Sequence, residues 1–226
     1  MIKCLALILA LILLVSLPLE ASAGQFAPRF TMAQTFTEGP WTGYRADIQV
    51  KPLTFAVWPG GWLTDGTFVQ SGFIKNGDSL FVFAWATNNT ENSDYGLFPL
   101  KYTEVKPAPL SWVTFELVRV TASKWRFRYM DVTGWHIQGY FYSRSTMDFS
   151  MWVNEYWAEG PAPFRKQVMR NVLLRDISGR WSIPADVDYS AFEGQCEHER
   201  IMSPKKGTLV FTSVENDCPS MYQHLW

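Results

Sequence analysis

Lys124-Trp125-Arg126-Phe127-Arg128-Tyr129-Met130-Asp131-Val132 is the stretch that decides the fold class. Trp125, Phe127 and Tyr129 alternate with Lys124, Arg126 and Arg128. Successive side chains of a strand point to opposite faces, so this run predicts a strand with one face in a core and one in water. The same pattern spreads outward. Thr133-Gly134 turns the chain into Trp135–Tyr142, and Trp112–Val120 precedes it as a partner. Upstream, Thr67–Ile74 and Leu80–Thr87 flank Lys75-Asn76-Gly77-Asp78-Ser79, whose Asn-Gly pair signals a hairpin. Downstream, Phe149–Asn154, Val168–Leu174 and Thr208–Val214 are further β-branched and aromatic runs. Asn88–Lys106 and Ala158–Arg165 read as long loops, the second placed to overhang a cleft. With helical periodicity nearly absent, these runs predict an all-β chain. The expected fold is a two-sheet antiparallel β-sandwich of the concanavalin A-like or jelly-roll type, in one domain.

Residues 1–23 stand apart from that domain. Lys3 precedes an apolar run, Leu5–Leu17, and Ala21-Ser22-Ala23 comes next as a small-residue cleavage signature. The run is shorter than the ~20 residues a membrane-spanning helix needs. It therefore reads as a signal peptide cut after Ala23, leaving residues 24–226 as the exported domain. Secretion without stable membrane association is the expectation, or a place at the cell surface if the segment is retained. Cys196 and Cys218 remain after cleavage, and a leftover pair in an exported chain predicts a disulfide. Cys196-Glu197-His198 has no second matching cluster, and the chain holds only 3 His, so neither a metal nor a cofactor is expected. Net charge is −1 and the sequence shows no basic stripe, so the footprint of a nucleic-acid binder is absent. Aromatics make up 16% of residues, including 11 Trp, a load that predicts some rings lining a cleft as well as the core.

Two strands carry polar groups where apolar ones are expected. By alternation Phe68, Gln70, Gly72 and Ile74 share a face, which sets an amide beside a glycine among apolar neighbours. Met151, Val153 and Glu155 share a face on another strand, which begins apolar and ends in a carboxylate. Partial burial raises a carboxyl pKa, and such a group can serve as general base and then general acid. Glu159, four residues on, is the lesser candidate. Other catalytic patterns are weak. Gln70-Ser71-Gly72 is not a nucleophile elbow. The segment Glu155-Tyr156-Trp157-Ala158-Glu159 lacks the closely alternating carboxylates of sandwich-fold glucanases.

Taken in order, these segments resemble the glutamic peptidases, the eqolisin-like acid proteases. Trp41-Thr42-Gly43-Tyr44 matches the family's early Trp-small-Gly-Tyr segment. Val57-Trp58-Pro59-Gly60-Gly61 matches its Trp-containing, glycine-rich stretch, without the aspartate usual there. Val69-Gln70-Ser71-Gly72 matches the strand of the catalytic glutamine, and Phe83-Ala84-Trp85-Ala86-Thr87 keeps the next strand's tryptophan but not its acid. Met151-Trp152-Val153-Asn154-Glu155 matches the strand that ends in the catalytic glutamate. Pro163-Phe164 matches a Pro-Phe pair beyond that strand, and Lys206–Phe211 matches the family's final strand. The resemblance implies a monomeric acid endopeptidase acting on protein or peptide substrates. Gln70 and Glu155 would be its dyad, Trp58 and Trp85 its substrate-binding residues, with no metal. The two strands are expected to be neighbours with both side chains in one groove. The lost acid after Trp85 favours the alternative, a non-catalytic sandwich that holds a glycan or an extended peptide on an aromatic concave face.

Overall fold

The computed structural model describes residues 29–51, 56–76, 78–88, 98–158, 167–184, 188–192, 198–202 and 207–214. Among them there are strands and turns but no helix. One sheet is built from β1 (Arg29–Trp41), β3 (Ala56–Leu63), β4 (Thr67–Asn76), β5 (Ser79–Asn88), β6 (Phe98–Val105), β10 (Met147–Ala158) and β13 (Asp188–Phe192). Its order is β13-β1-β10-β3-β4-β5-β6. The second sheet holds β2 (Gly43–Gln49), β7 (Trp112–Arg119), β8 (Lys124–Asp131), β9 (Gly134–Tyr142), β11 (Gln167–Arg175), β14 (His198–Met202) and β15 (Leu209–Val214), in the order β14-β15-β11-β2-β7-β8-β9. The short β12 (Trp181–Ser182) pairs beside β11. All pairings are antiparallel, so the expected two-sheet sandwich is what the chain forms.

β8 behaves as its alternation predicts. Trp125, Phe127 and Tyr129 enter the inter-sheet core, while Arg126 and Arg128 face the other way. That core joins Tyr44, Ile48, Phe115 and Leu117 of the second sheet to Val57, Val69 and Phe73 of the first. Phe73 meets Phe115 edge-on across the interface, with ring centroids 5.0 Å apart. A polar link between the layers lies in the same place: Tyr44 Oη and Ser71 Oγ are 2.9 Å apart, both buried. Burial pushes the Tyr44 phenol well above its ordinary pKa, so it remains a neutral hydrogen-bonding hydroxyl.

The first sheet is buried on its other face as well. Trp58, Phe68, Ile74, Phe83, Trp85, Met151 and Val153 form a second apolar cluster drawn only from β3, β4, β5 and β10. Every residue of β4 from Thr67 to Ile74 is consequently buried, alternately on one face and the other.

Two loop assignments change. Asn88–Lys106 was expected to be a loop, yet Phe98–Val105 is edge strand β6. Its polar Lys101, Thr103 and Glu104 hid the pattern, but Tyr102 packs on Phe81 with centroids 6.2 Å apart. Ala158, the expected start of a loop, is the last residue of β10. β3 is a further departure, because a Trp-Pro-Gly-Gly run does not read as a central strand. The register on its β4 side is unbroken, yet the ladder has no pairs at Trp58 and Pro59, where the missing proline N–H leaves a gap. Gly72 faces that gap. A Cβ there would strike the Val57 carbonyl oxygen and come within 2.6 Å of Trp58 Cβ.

Gly72→Ala is expected to force β3 and β4 apart and to destabilise the fold by about 1–3 kcal/mol, the usual cost of overpacking. Chemical denaturation checks this, and an unchanged midpoint would contradict it. Asp65, in the turn between β3 and β4, gives a pH prediction. Burial alone would raise its carboxyl, but hydrogen bonds from Ser143 Oγ at 2.6 Å and the Thr67 N–H at 3.0 Å outweigh it and hold the pKa low. A group with a folded pKa below its unfolded value near 3.9 stabilises above about pH 4 and stops doing so as pH falls through the folded value. Thermal melts should therefore show falling stability below about pH 4. Asp65→Asn should be less stable than wild type at pH 7 and should flatten the acid limb.

Candidate functional site

Gln70 sits in the middle of β4, on the face turned away from the inter-sheet core. Register places Met151, Gly60, Gln70 and Trp85 in one row across β10, β3, β4 and β5. Trp58 and Trp85 bracket the site through Phe68, at centroid distances of 5.8 and 6.3 Å, and Trp62 tilts onto Phe68 at 4.8 Å. Gly60 is small because the Trp58 ring lies over it. A Cβ at position 60 would come within 2.8 Å of that ring and 2.6 Å of the Val69 carbonyl oxygen. Gly72 likewise meets Trp58, so a larger side chain is excluded there as well.

The result is an amide in an aromatic enclosure. Gln70 is 1% exposed, and neither its Oε1 nor its Nε2 has a hydrogen-bond partner among the described residues. A buried, unpaired amide of this kind costs about 1–3 kcal/mol by protein mutational measures. It is also what a peptide-recognition element requires, since one glutamine amide can donate to a carbonyl and accept from an N–H.

Glu155 occupies a position of the same pleat parity on the same sheet, but β3 separates β10 from β4, so the two strands are not neighbours. Along the strands Glu155 is level with Ala56 and Ile74, whereas Gln70 is level with Gly60 and Met151. Two strand spacings and four residues of rise set the two Cα positions about 16 Å apart. The strand position level with Gln70 on β10 holds Met151, which is fully buried. Trp58 and Trp85 lie on the enclosed face that also holds Gln70, and Phe68, Trp62 and Met151, which the sequence did not single out as site residues, join them there. Phe68 and Met151 were visible by alternation, while their meeting depended on recognising β3 between them. Glu159, Cys196, Cys218 and Pro163-Phe164 lie outside the described residues. Among the described residues no group of His, Cys, Asp and Glu is arranged to hold a metal ion.

A second polar site lies on the outer face of the other sheet. Arg45, Glu116 and Arg128 form one row across β2, β7 and β8. Glu116 is 1% exposed and accepts from Arg45 Nε at 2.9 Å and Arg128 Nε at 2.6 Å, with Arg45 Nη2 also bonded. The near-neutral net charge and the lack of a basic run in sequence gave no sign of this arginine cluster, which the strand register assembles from distant segments.

This two-layer antiparallel sandwich is the fold of the glutamic peptidases. Scytalido-glutamic peptidase, crystallised with a peptide-based transition-state analogue, superposes with a TM-score of 0.55 at 10% identity over 84% of this chain and 100% of that one. SCP-B, a member of the eqolisin family of peptidases in complex with the tripeptide Ala-Ile-His, superposes with a TM-score of 0.53 over the same shares, again at 10% identity. At such identity the likeness is one of fold. No protein-family model and no curated protein sequence matches the chain.

Gln70→Met keeps the length of the side chain and removes the unpaired amide. It is expected to stabilise the free protein by about 1–3 kcal/mol, or about 2–4 °C per kcal/mol in a chain of this size. Differential scanning calorimetry checks this. A lower midpoint would mean that the amide is satisfied by its surroundings.

Proposed function

We propose that the outer face of the seven-stranded sheet binds an extended peptide, with Gln70 holding a peptide group through its amide. The observation that carries this reading is the pair of unpaired amide atoms on Gln70 inside an aromatic enclosure. A peptide unit presents one N–H and one C=O, which matches what the glutamine leaves open. Aromatic rings on either side add apolar contact without further polar demands. The solved neighbours of this fold carry a tripeptide or transition-state analogues, which supports a peptide as the ligand class. The protein is proposed to be exported as a monomer after loss of its leader, with Cys196 and Cys218 joined.

A second reading is catalytic and rests on the retention of both Gln70 and Glu155 on one sheet at one pleat parity. Glu155 would take a proton from water, the water oxygen would attack the scissile carbonyl, and Gln70 would donate its N–H to the oxyanion. Glu155 would then return the proton to the leaving amine. A general base must reach its proton directly or through one water. The register separation therefore favours binding over hydrolysis.

The experiment is incubation of reduced, unfolded protein and of fluorescent peptides with the purified exported protein from pH 2 to 7. Saturable peptide binding that weakens about tenfold or more in Gln70→Met, with no cleavage, is the expected result. Each tenfold corresponds to about 1.4 kcal/mol of lost contact. Cleavage that disappears in Glu155→Gln would establish the dyad instead. The same preparation, weighed intact, should begin at Gly24 and be lighter by the two hydrogens of a disulfide.

A further inference from the structure

The arginine cluster on the outer face of the other sheet carries an inference independent of the peptide site. Beside the Arg45–Glu116–Arg128 row runs a second row: Arg175, Gly43, Val118 and Arg126, across β11, β2, β7 and β8. Gly43 and Val118 are short, so this row is a depression with an arginine at each end. Trp181 closes one side, its Cη2 within 3.3 Å of where a Gly43 Cβ would stand. Arg119 and Val120 complete the lining of a cavity of about 280 Å³.

Five arginines line this cavity against one glutamate. Arg45 and Arg128 share the Glu116 carboxylate. The other three have no carboxylate within hydrogen-bonding distance among the described residues. Arg175 donates to the Gly179 and Arg119 carbonyls at 3.2 Å each, and Arg119 donates to the Arg144 and Ser145 carbonyls. Neutral acceptors fix the Arg175 and Arg119 guanidinium groups in place and leave their charge uncompensated. Arg126 is the least satisfied. Its Nε is buried without a hydrogen-bond partner, and its nearest carboxylate oxygen, on Glu116, is 3.9 Å away.

Charge and geometry together select the ligand. Two guanidinium groups without a carboxylate partner, Arg119 and Arg175, and a third, Arg126, that shares Glu116 only at 3.9 Å converge from three strands, so a group with three free oxygens fits better than a carboxylate with two. A nucleic-acid phosphodiester also offers only two free oxygens. Single-stranded nucleic acid further needs aromatic platforms for its bases. Here Trp181 is faced by Arg45 at 4.6 Å and Trp135 by Arg128 at 3.7 Å, so cations occupy those rings. We propose that this cavity binds the sulfate ester groups of an acidic polysaccharide, with Arg126 as the residue that engages the sulfate.

The test is calorimetric titration of the purified protein with heparin, hyaluronate, oligodeoxythymidylate and neutral dextran at low and at physiological salt. Heparin should bind, more weakly as salt rises, while hyaluronate and oligodeoxythymidylate bind at least tenfold less tightly and dextran not at all. Arg126→Gln removes no existing hydrogen bond and only a partly exposed 3.9 Å ion pair to Glu116, which Arg45 and Arg128 still neutralise, so its melting temperature should stay close to wild type while heparin affinity falls about tenfold or more. Arg126→Lys should recover part of that loss, because charge returns without the fork. Gln70→Met should leave heparin binding unchanged, which separates this site from the peptide site. The proposal is overturned by a lack of heparin binding, by equal affinity for hyaluronate or oligodeoxythymidylate, or by wild-type affinity in Arg126→Gln.

Discussion

Burial of the central strands of one sheet on both faces is the constraint on which the rest of the structure depends. A sheet in a two-layer sandwich ordinarily shows one face to the core and one to solvent. Here β4 is enclosed by the inter-sheet core on one side and by an aromatic cluster on the other. Each strand of this region must then fit rings on a face that would otherwise be polar. The glycines of β3 and β4 answer that demand, because Trp58 covers Gly60 and abuts Gly72. A polar side chain on this enclosed face is withdrawn from bulk solvent, which is what gives Gln70 its energetic weight.

The two sheets divide polar function between them. On the outer face of the first, the uncharged Gln70 amide stands within apolar walls. On the second, the outer face carries charge in excess, with the buried carboxylates of Glu116 and Asp47 gathering part of it. Tyr44 and Ser71 connect the layers behind the first site. The hydrogen bond ties the strand that holds Gln70 to β2, the strand that carries Arg45.

Much of this was legible in the sequence, for reasons that are local. Alternation over Lys124–Val132 exposed β8, and Asn76-Gly77 exposed the β4–β5 hairpin, because period and turn chemistry are properties of a few adjacent residues. The order of Trp41-Thr42-Gly43-Tyr44, Val69-Gln70-Ser71-Gly72 and Met151–Glu155 sufficed to reach the fold shared with the glutamic peptidases. The hidden part depends on long-range register. Trp58-Pro59-Gly60-Gly61 carries the marks of a turn, and pairing with β10 together with the packing of Trp58 over Gly60 makes it β3. With β3 unrecognised, the offset of Glu155 from Gln70 could not be seen. The arginine cavity is similar: Arg45, Arg126 and Arg175 lie on three strands, and only the pairing of β11, β2, β7 and β8 collects them.

The state of the Gln70 amide is the most direct test of this account, and nuclear magnetic resonance reads it without an activity assay. Its side-chain NH₂ signals can be assigned by their loss in Gln70→Met. The free protein should show resonances of a non-hydrogen-bonded amide, moving downfield as an extended peptide is added to saturation. Signals already at hydrogen-bonded positions in the free protein, and unmoved by peptide, would contradict it.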